Sequence, residues 1–164
     1  MLAAIVNLYY VVKSIHSMTV LVTFGGAFAY PLAFLIATRN DPRSLPALHR
    51  IENTIERLLI LPGLLVVILT GIDITSIAHH WGMFFVQWGL SATVVIGVLV
   101  LVVMIPGAER AAVLAERDLV ASGAGTVSFS GEYRSLARRL LIVGMLLNAL
   151  VLLTILFMVV AFNP

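Results

Sequence analysis

Residues 7–28 read NLYYVVKSIHSMTVLVTFGGAF, and whether they form a cleaved leader or a lasting membrane span decides how the whole chain is laid out. The preceding residues lack the basic flank that a secretory leader carries. Ala27-Phe28-Ala29 mimics a cleavage site, but the apolar run continues through it. The stretch is therefore expected to remain as the first transmembrane helix.

The rest of the chain has the same character. Of its 164 residues 61% are apolar and only 11% charged, and the mean hydropathy is +1.09, which marks an integral membrane protein. A hydrocarbon core of ~30 Å takes roughly 20 helical residues to cross. Four segments are long enough, at about 8–38, 58–77, 82–105 and 140–162. The expected fold is all-α: a transmembrane four-helix up-down bundle occupying residues 1–164 as a single domain, in contact with the lipid bilayer.

Cysteine is absent, which excludes disulfides, thiolate metal sites and thiol catalysis. No phosphate-binding glycine loop, nucleophile elbow or pair of carboxylates at membrane depth is evident, so hydrolytic and phosphoryl-transfer chemistry is not expected.

Arginines give the orientation. TRNDPRSLPALHRIENTIER (38–57) carries Arg39, Arg43, Arg50 and Arg57, and the segment from Pro106 to Arg139 carries Arg110, Arg117, Arg134, Arg138 and Arg139. The connection SIAHHWG (76–82) has none. The positive-inside rule puts both arginine-rich loops in the cytoplasm, and both termini with the His79-His80-Trp81 turn outside. The pI near 9.4 is thus a topology signal, and no nucleic-acid partner is expected.

Within the first loop, Asp41-Pro42 and Ser44-Leu45-Pro46 mark a helix start, and His49, Arg50, Glu52 and Glu56 read as a solvated cytoplasmic face. In the second, Pro106 to Val120 sets charges against Ala112, Ala115 and Leu119, as a helix lying on the inner membrane surface would. SGAGTVSFSG (122–131) reads as a mobile link. No internal repeat stands out. Gly63 and Gly71 match Gly89 and Gly97 in spacing, so close contact of spans two and three is expected, with 63 beside 97 and 71 beside 89. Asn148, deep in the fourth span, is expected to make an interhelical hydrogen bond.

The functional signal lies at one depth. At ~1.5 Å of rise per residue, His16 stands roughly 34 Å along the first helix from Arg39, and His79 roughly 33 Å along the second from Arg57. Asp73 falls one to two turns below His79, Lys13 one turn above His16, and Gln87 enters from the third span at a similar level. An outer-side polar cluster of Lys13, His16, Asp73, His79, His80 and Gln87 is therefore predicted. The stripe of His16, Val20, Thr23 and Ala27 suits a bundle interior.

Two imidazoles from different helices at one height are what a bis-histidine haem or a metal ion needs, with His16, His79 and His80 as candidate ligands. Met18 and Met83 add soft donors that suit copper. Asp73 could fix a histidine tautomer, and Lys13 could pair with Asp73 or a haem propionate. A plainer reading stands beside this one, in which Lys13 snorkels to the headgroups and His79-His80-Trp81 is an interfacial turn.

VVKSIHSM (11–18), IERLLILPGLLVVILTG (55–71), IPGAERAAVLA (105–115) and EYRSLARRLLIVGMLLNALVLLTILFMVVAFNP (132–164) together resemble the bacterial integral membrane family of domain-of-unknown-function number 2269. That resemblance implies the architecture and a bacterial inner (plasma) membrane location more than an activity. Lys13-x-x-His16, and Glu56-Arg57 with Pro62, are distantly similar to the membrane protoporphyrinogen oxidases that bind haem b. In that comparison His16 is implied as a haem ligand and Lys13 as a haem or porphyrin contact. The first span also resembles the membrane domain of copper-resistance proteins.

The expectation is a small membrane protein binding haem b or a metal at the outer side of the bundle, as a redox or accessory subunit working with other membrane subunits or as a homo-oligomer. The alternatives are a cofactor-free structural subunit and a copper-handling protein.

Overall fold

Each apolar stretch is helical in the computed structural model, which describes residues 2–161, with side chains over 8–160. Pro164, which closes the last family-like motif, lies outside the described residues. The first rod is α1 (Leu2–Asn40). The second joins a 3₁₀ turn (Pro42–Ser44), α2 (Leu45–Ile55), a π turn (Glu56–Ile60) and α3 (Leu61–Ala78). The third joins α4 (Phe84–Leu99), a π turn (Val100–Met104) and α5 (Ile105–Ser122), and the fourth is α6 (Gly131–Ala161). All four rods are long and apolar enough to cross a membrane, and the chain is a multi-pass membrane protein with an all-α four-helix bundle.

At ~1.5 Å per residue α1 is about 58 Å long, well beyond the ~30 Å of hydrocarbon. The third rod also runs long, at the arginine-bearing end. There Pro106 to Val120 does not lie along the membrane surface but continues the third rod as α5, packed on α2. Ala108, Ala111, Ala112 and Ala115 are buried along it at helical spacing, and methyl-sized side chains let the two helices close. The second rod begins at Pro42 as anticipated, without side-chain caps; the Ser44 hydroxyl instead donates to the Asp41 carbonyl at 2.8 Å. The glycine-rich link is tied down: the Arg43 guanidinium donates to the carbonyls of Gly123 and Gly125 at 2.8 and 3.0 Å, and the Asp118 carboxylate accepts the Ser130 N–H at 2.8 Å.

Prolines explain the two π turns. Leu61-Pro62-Gly63 and Ile105-Pro106-Gly107 each follow one, so the second and third rods share a local element that residue-by-residue comparison does not expose. A proline inside a helix lacks a donor, and its ring collides with the carbonyl four residues back. Widening the preceding turn by one residue relieves both problems, with the N–H of Leu61 reaching the carbonyl of Glu56 and that of Ile105 reaching Val100. Pro31 in α1 is handled differently. Its missing N–H leaves the Ala27 carbonyl without a helical partner, and the Asn148 amide of α6 donates to that carbonyl at 3.1 Å.

The glycines of spans two and three pair elsewhere than predicted. A Cβ at Gly63 would overlap the Thr23 hydroxyl, one at Gly71 would stand 3.4 Å from His16 Cε1, and one at Gly89 would stand 2.5 Å from Met158 Cε. Only Gly97 meets its predicted neighbour helix, at 3.8 Å from Leu64 Cδ1. The glycine faces of α3 and α4 therefore admit polar or long side chains from α1 and α6, and the first and second rods become the closely docked pair.

The core is continuous on the inner side, from Leu45 and Tyr133 through Ile105, Met104 and Leu140 to Leu64, Ile96 and Val151. Large apolar side chains such as Leu21, Leu32, Leu65, Val102 and Leu146 face outward, forming the surface a bilayer covers.

Candidate functional site

Toward the outer end the packing opens. Between the first, second, third and fourth rods lies a cavity of about 560 Å³, walled by Val20, Leu21, Val67, Ile72, Phe85, Val86, Leu90, Ile155 and Met158, with Lys13, His16 and Trp81 among its lining residues. Its size is in the ~300–1,000 Å³ range of sites for small organic ligands, and such sites characteristically combine apolar walls with a few polar groups.

His16 enters this cavity because α1 runs over the glycine face of α3. Gly71 gives the ring room, and Thr70, one residue earlier, holds it: His16 Nδ1 is 2.9 Å from Thr70 Oγ1. The Thr70 hydroxyl has one proton, which it donates to the Val66 carbonyl at 2.6 Å. It must therefore accept from His16, which places the imidazole proton on Nδ1 and leaves the lone pair on Nε2. That is the tautomer a metal or haem iron requires, oriented by a partner behind the ligand.

Of the predicted cluster, the structure brings Lys13 and His16 to the same cavity and keeps Asp73, His79, His80 and Gln87 off its wall. Asp73 and Gln87 are exposed; the Gln87 amide reaches the Trp81 carbonyl at 3.5 Å. His79 ends α3 in the left-handed conformation, at φ 55°, with its backbone N–H on the Thr75 carbonyl and its side chain exposed. His80 lies edge-on to Phe85, ring centres 6.2 Å apart. Met18 and Met83 are exposed, at 65% and 44%. Among the described residues no group of three or more His, Asp or Glu side chains gathers as a metal ion would need. Lys13 Nζ also lies 5.8 Å from the centre of the Tyr9 ring.

One polar constellation lies elsewhere than its residue types suggest. His49, Glu52 and Glu56 do not form a solvated face; they are 1%, 7% and 4% exposed and point into the bundle. His49 Nδ1 lies 2.9 Å from the Tyr30 hydroxyl and 3.4 Å from Glu52 Oε2, while Nε2 lies 3.0 Å from the Tyr133 hydroxyl. A carboxylate on the Nδ1 side selects the tautomer protonated there, so Nε2 accepts the Tyr133 O–H. The signal was present in the spacing. Leu45, His49, Glu52, Glu56 and Ile60 continue the buried stripe of Gly63, Leu64 and Val67 at helical intervals, and their polarity disguised them as surface.

Fold and cavity together define a multi-pass membrane protein with a largely apolar cavity between its four rods. No family model matches the chain, and neither a curated protein nor a solved structure matches it.

Proposed function

We propose that this protein binds haem b in the outer cavity, with His16 Nε2 as an axial ligand, and serves as a redox or accessory subunit of a bacterial inner-membrane assembly. The observation that carries this reading is the His16 ring, held at Nδ1 by Thr70 and turned into an apolar space of about 560 Å³. The donor set fits the group. An apolar slot excludes water from a porphyrin face, Lys13 supplies a cation at the cavity for a propionate, and Met158 places a thioether on the same wall. Bound haem b would supply one-electron chemistry; His16 would fix its position and Thr70 would fix the basicity of the ligand nitrogen. The motif Lys13-x-x-His16 supports the same assignment through its likeness to haem-b membrane oxidases.

The test is the visible spectrum of protein purified in mild detergent and reconstituted with haem b. A Soret band that His16→Ala abolishes and His79→Ala leaves intact is the expected result. Absence of any haem-dependent band in the folded wild-type protein overturns the reading and favours a cofactor-free structural subunit.

A further inference from the structure

A second, smaller cavity lies on the inner side of the bundle, where both π turns face α1 and α6. Its volume is about 70 Å³, and its lining includes Tyr30, Glu52, Glu56 and Asn148 among apolar walls. A water molecule needs ~10–15 Å³ of such space and two to four polar partners, so this cavity has room and partners for water but not for an organic substrate.

Glu56 is the group that its surroundings do not satisfy. It is 4% exposed, and its Oε2 is buried with no hydrogen-bond partner. From α1 the cavity is faced by Tyr30, and from α2 by Glu52; α4, the second π turn and α6 present no titratable side chain to it, Asn148 being their polar contribution. Arg57, next in sequence, pairs with Glu109 at 3.0 Å and is half exposed. His49 and Tyr133 stand behind Glu52. A buried carboxylate oxygen without donor or cation is costly, whereas a carboxylic acid bonded to water is not. Two carboxyls on successive turns of one helix, lining the same water-sized space, can share a proton between them.

We propose that this inner cavity is a hydrated proton-binding site, in which Glu56 holds a proton and exchanges it with Glu52 through internal water. In the exchange the Glu56 O–H bond breaks as an O–H bond to water forms, and that water releases another of its protons to a Glu52 oxygen. No net charge moves out of the cavity, and His49 Nδ1–H steadies whichever form of Glu52 results. The π turn places Glu56 here by widening the helix one residue before Pro62. The inference goes beyond the outer cavity and does not depend on what that cavity holds.

Infrared difference spectroscopy of the whole protein in lipid nanodiscs tests it, in H₂O and in D₂O at neutral pH. The expected result is a protonated-carboxyl C=O band that shifts to lower frequency in D₂O, disappears in Glu56→Gln and persists, displaced, in Glu52→Gln. Absence of the band in the wild type, its survival in Glu56→Gln, or its loss only in Glu52→Gln overturns the assignment. A band that does not respond to D₂O shows a dry carboxyl and overturns the exchange through water. If Glu56→Gln does not fold, Glu56→Asp is the second variant: it keeps the acid, moves the band, and leaves it unmoved only if the proton sits elsewhere.

Discussion

Asn148 of α6 donates its side-chain N–H to the carbonyl of Ala27 at 3.1 Å, at the position where Pro31 has removed the helical donor of α1. One amide thus repairs a break that proline makes in another helix. Asn148→Leu is expected to cost about 1–3 kcal/mol, the range for orphaning a buried polar group. Pro31→Ala restores the N–H, so the double variant is expected to recover most of the loss. Thermal unfolding of the two single variants and the double variant in detergent checks this, and additive losses would show that the two residues are not coupled.

Gly71 controls whether His16 can occupy its cavity. A Cβ at 71 stands 3.4 Å from His16 Cε1, so Gly71→Ala is tolerated with a shift of a few tenths of an ångström. Gly71→Leu drives the ring off Thr70. Haem titration is expected to show a modest loss of affinity for the alanine variant and no Soret band for the leucine variant, with helicity retained in both.

Helix count and the all-α class were legible in the sequence because apolar runs of this length have few alternatives in a membrane. The inner network was not. His49, Glu52 and Glu56 are assigned to solvent by residue type, yet α1 and α6 cover them, with Tyr30 and Tyr133 bonded to the His49 ring and Asn148 lining the same small cavity as both carboxyls. That cover is a property of the assembled helices together. Likewise, depth arithmetic placed His16 and His79 at similar heights but says nothing of azimuth, and the left-handed turn at His79 leaves its side chain exposed.

The buried and exposed polar contacts of the inner extension should differ sharply in weight. Tyr133 is 2% exposed and bonds His49 Nε2 at 3.0 Å. Tyr133→Phe leaves that nitrogen without its donor, for an expected loss of about 1–3 kcal/mol. Arg57→Ala breaks an ion pair with Glu109 that is more than half exposed on both sides, for an expected ~0–1 kcal/mol. Comparing the two by denaturant or thermal unfolding checks the ranking; equal losses would place His49 in contact with water.

The π turn at Glu56–Ile60 amounts to one extra residue in an otherwise continuous rod, which makes a deletion informative. Leu58 is 74% exposed, so removing it sacrifices no core contact. Paired with Pro62→Ala, which removes the ring that the wide turn accommodates, the deletion lets an α-helix run from Leu45 to Ala78 with both ends keeping their facing. Deleting Leu65 instead, which is 59% exposed but lies in regular helix, rotates everything after it by about 100° and takes Gly71 from beneath His16. The chain has no native cysteine, so a His16→Cys, Thr70→Cys pair, at positions whose side chains meet at 2.9 Å across α1 and α3, reports this rotation by cross-linking with a short thiol reagent. The Leu58 deletion is expected to cross-link as the parent does, and the Leu65 deletion to lose the cross-link. The reverse pattern would mean that the wide turn carries no removable residue and that Pro62 bends the rod in another way.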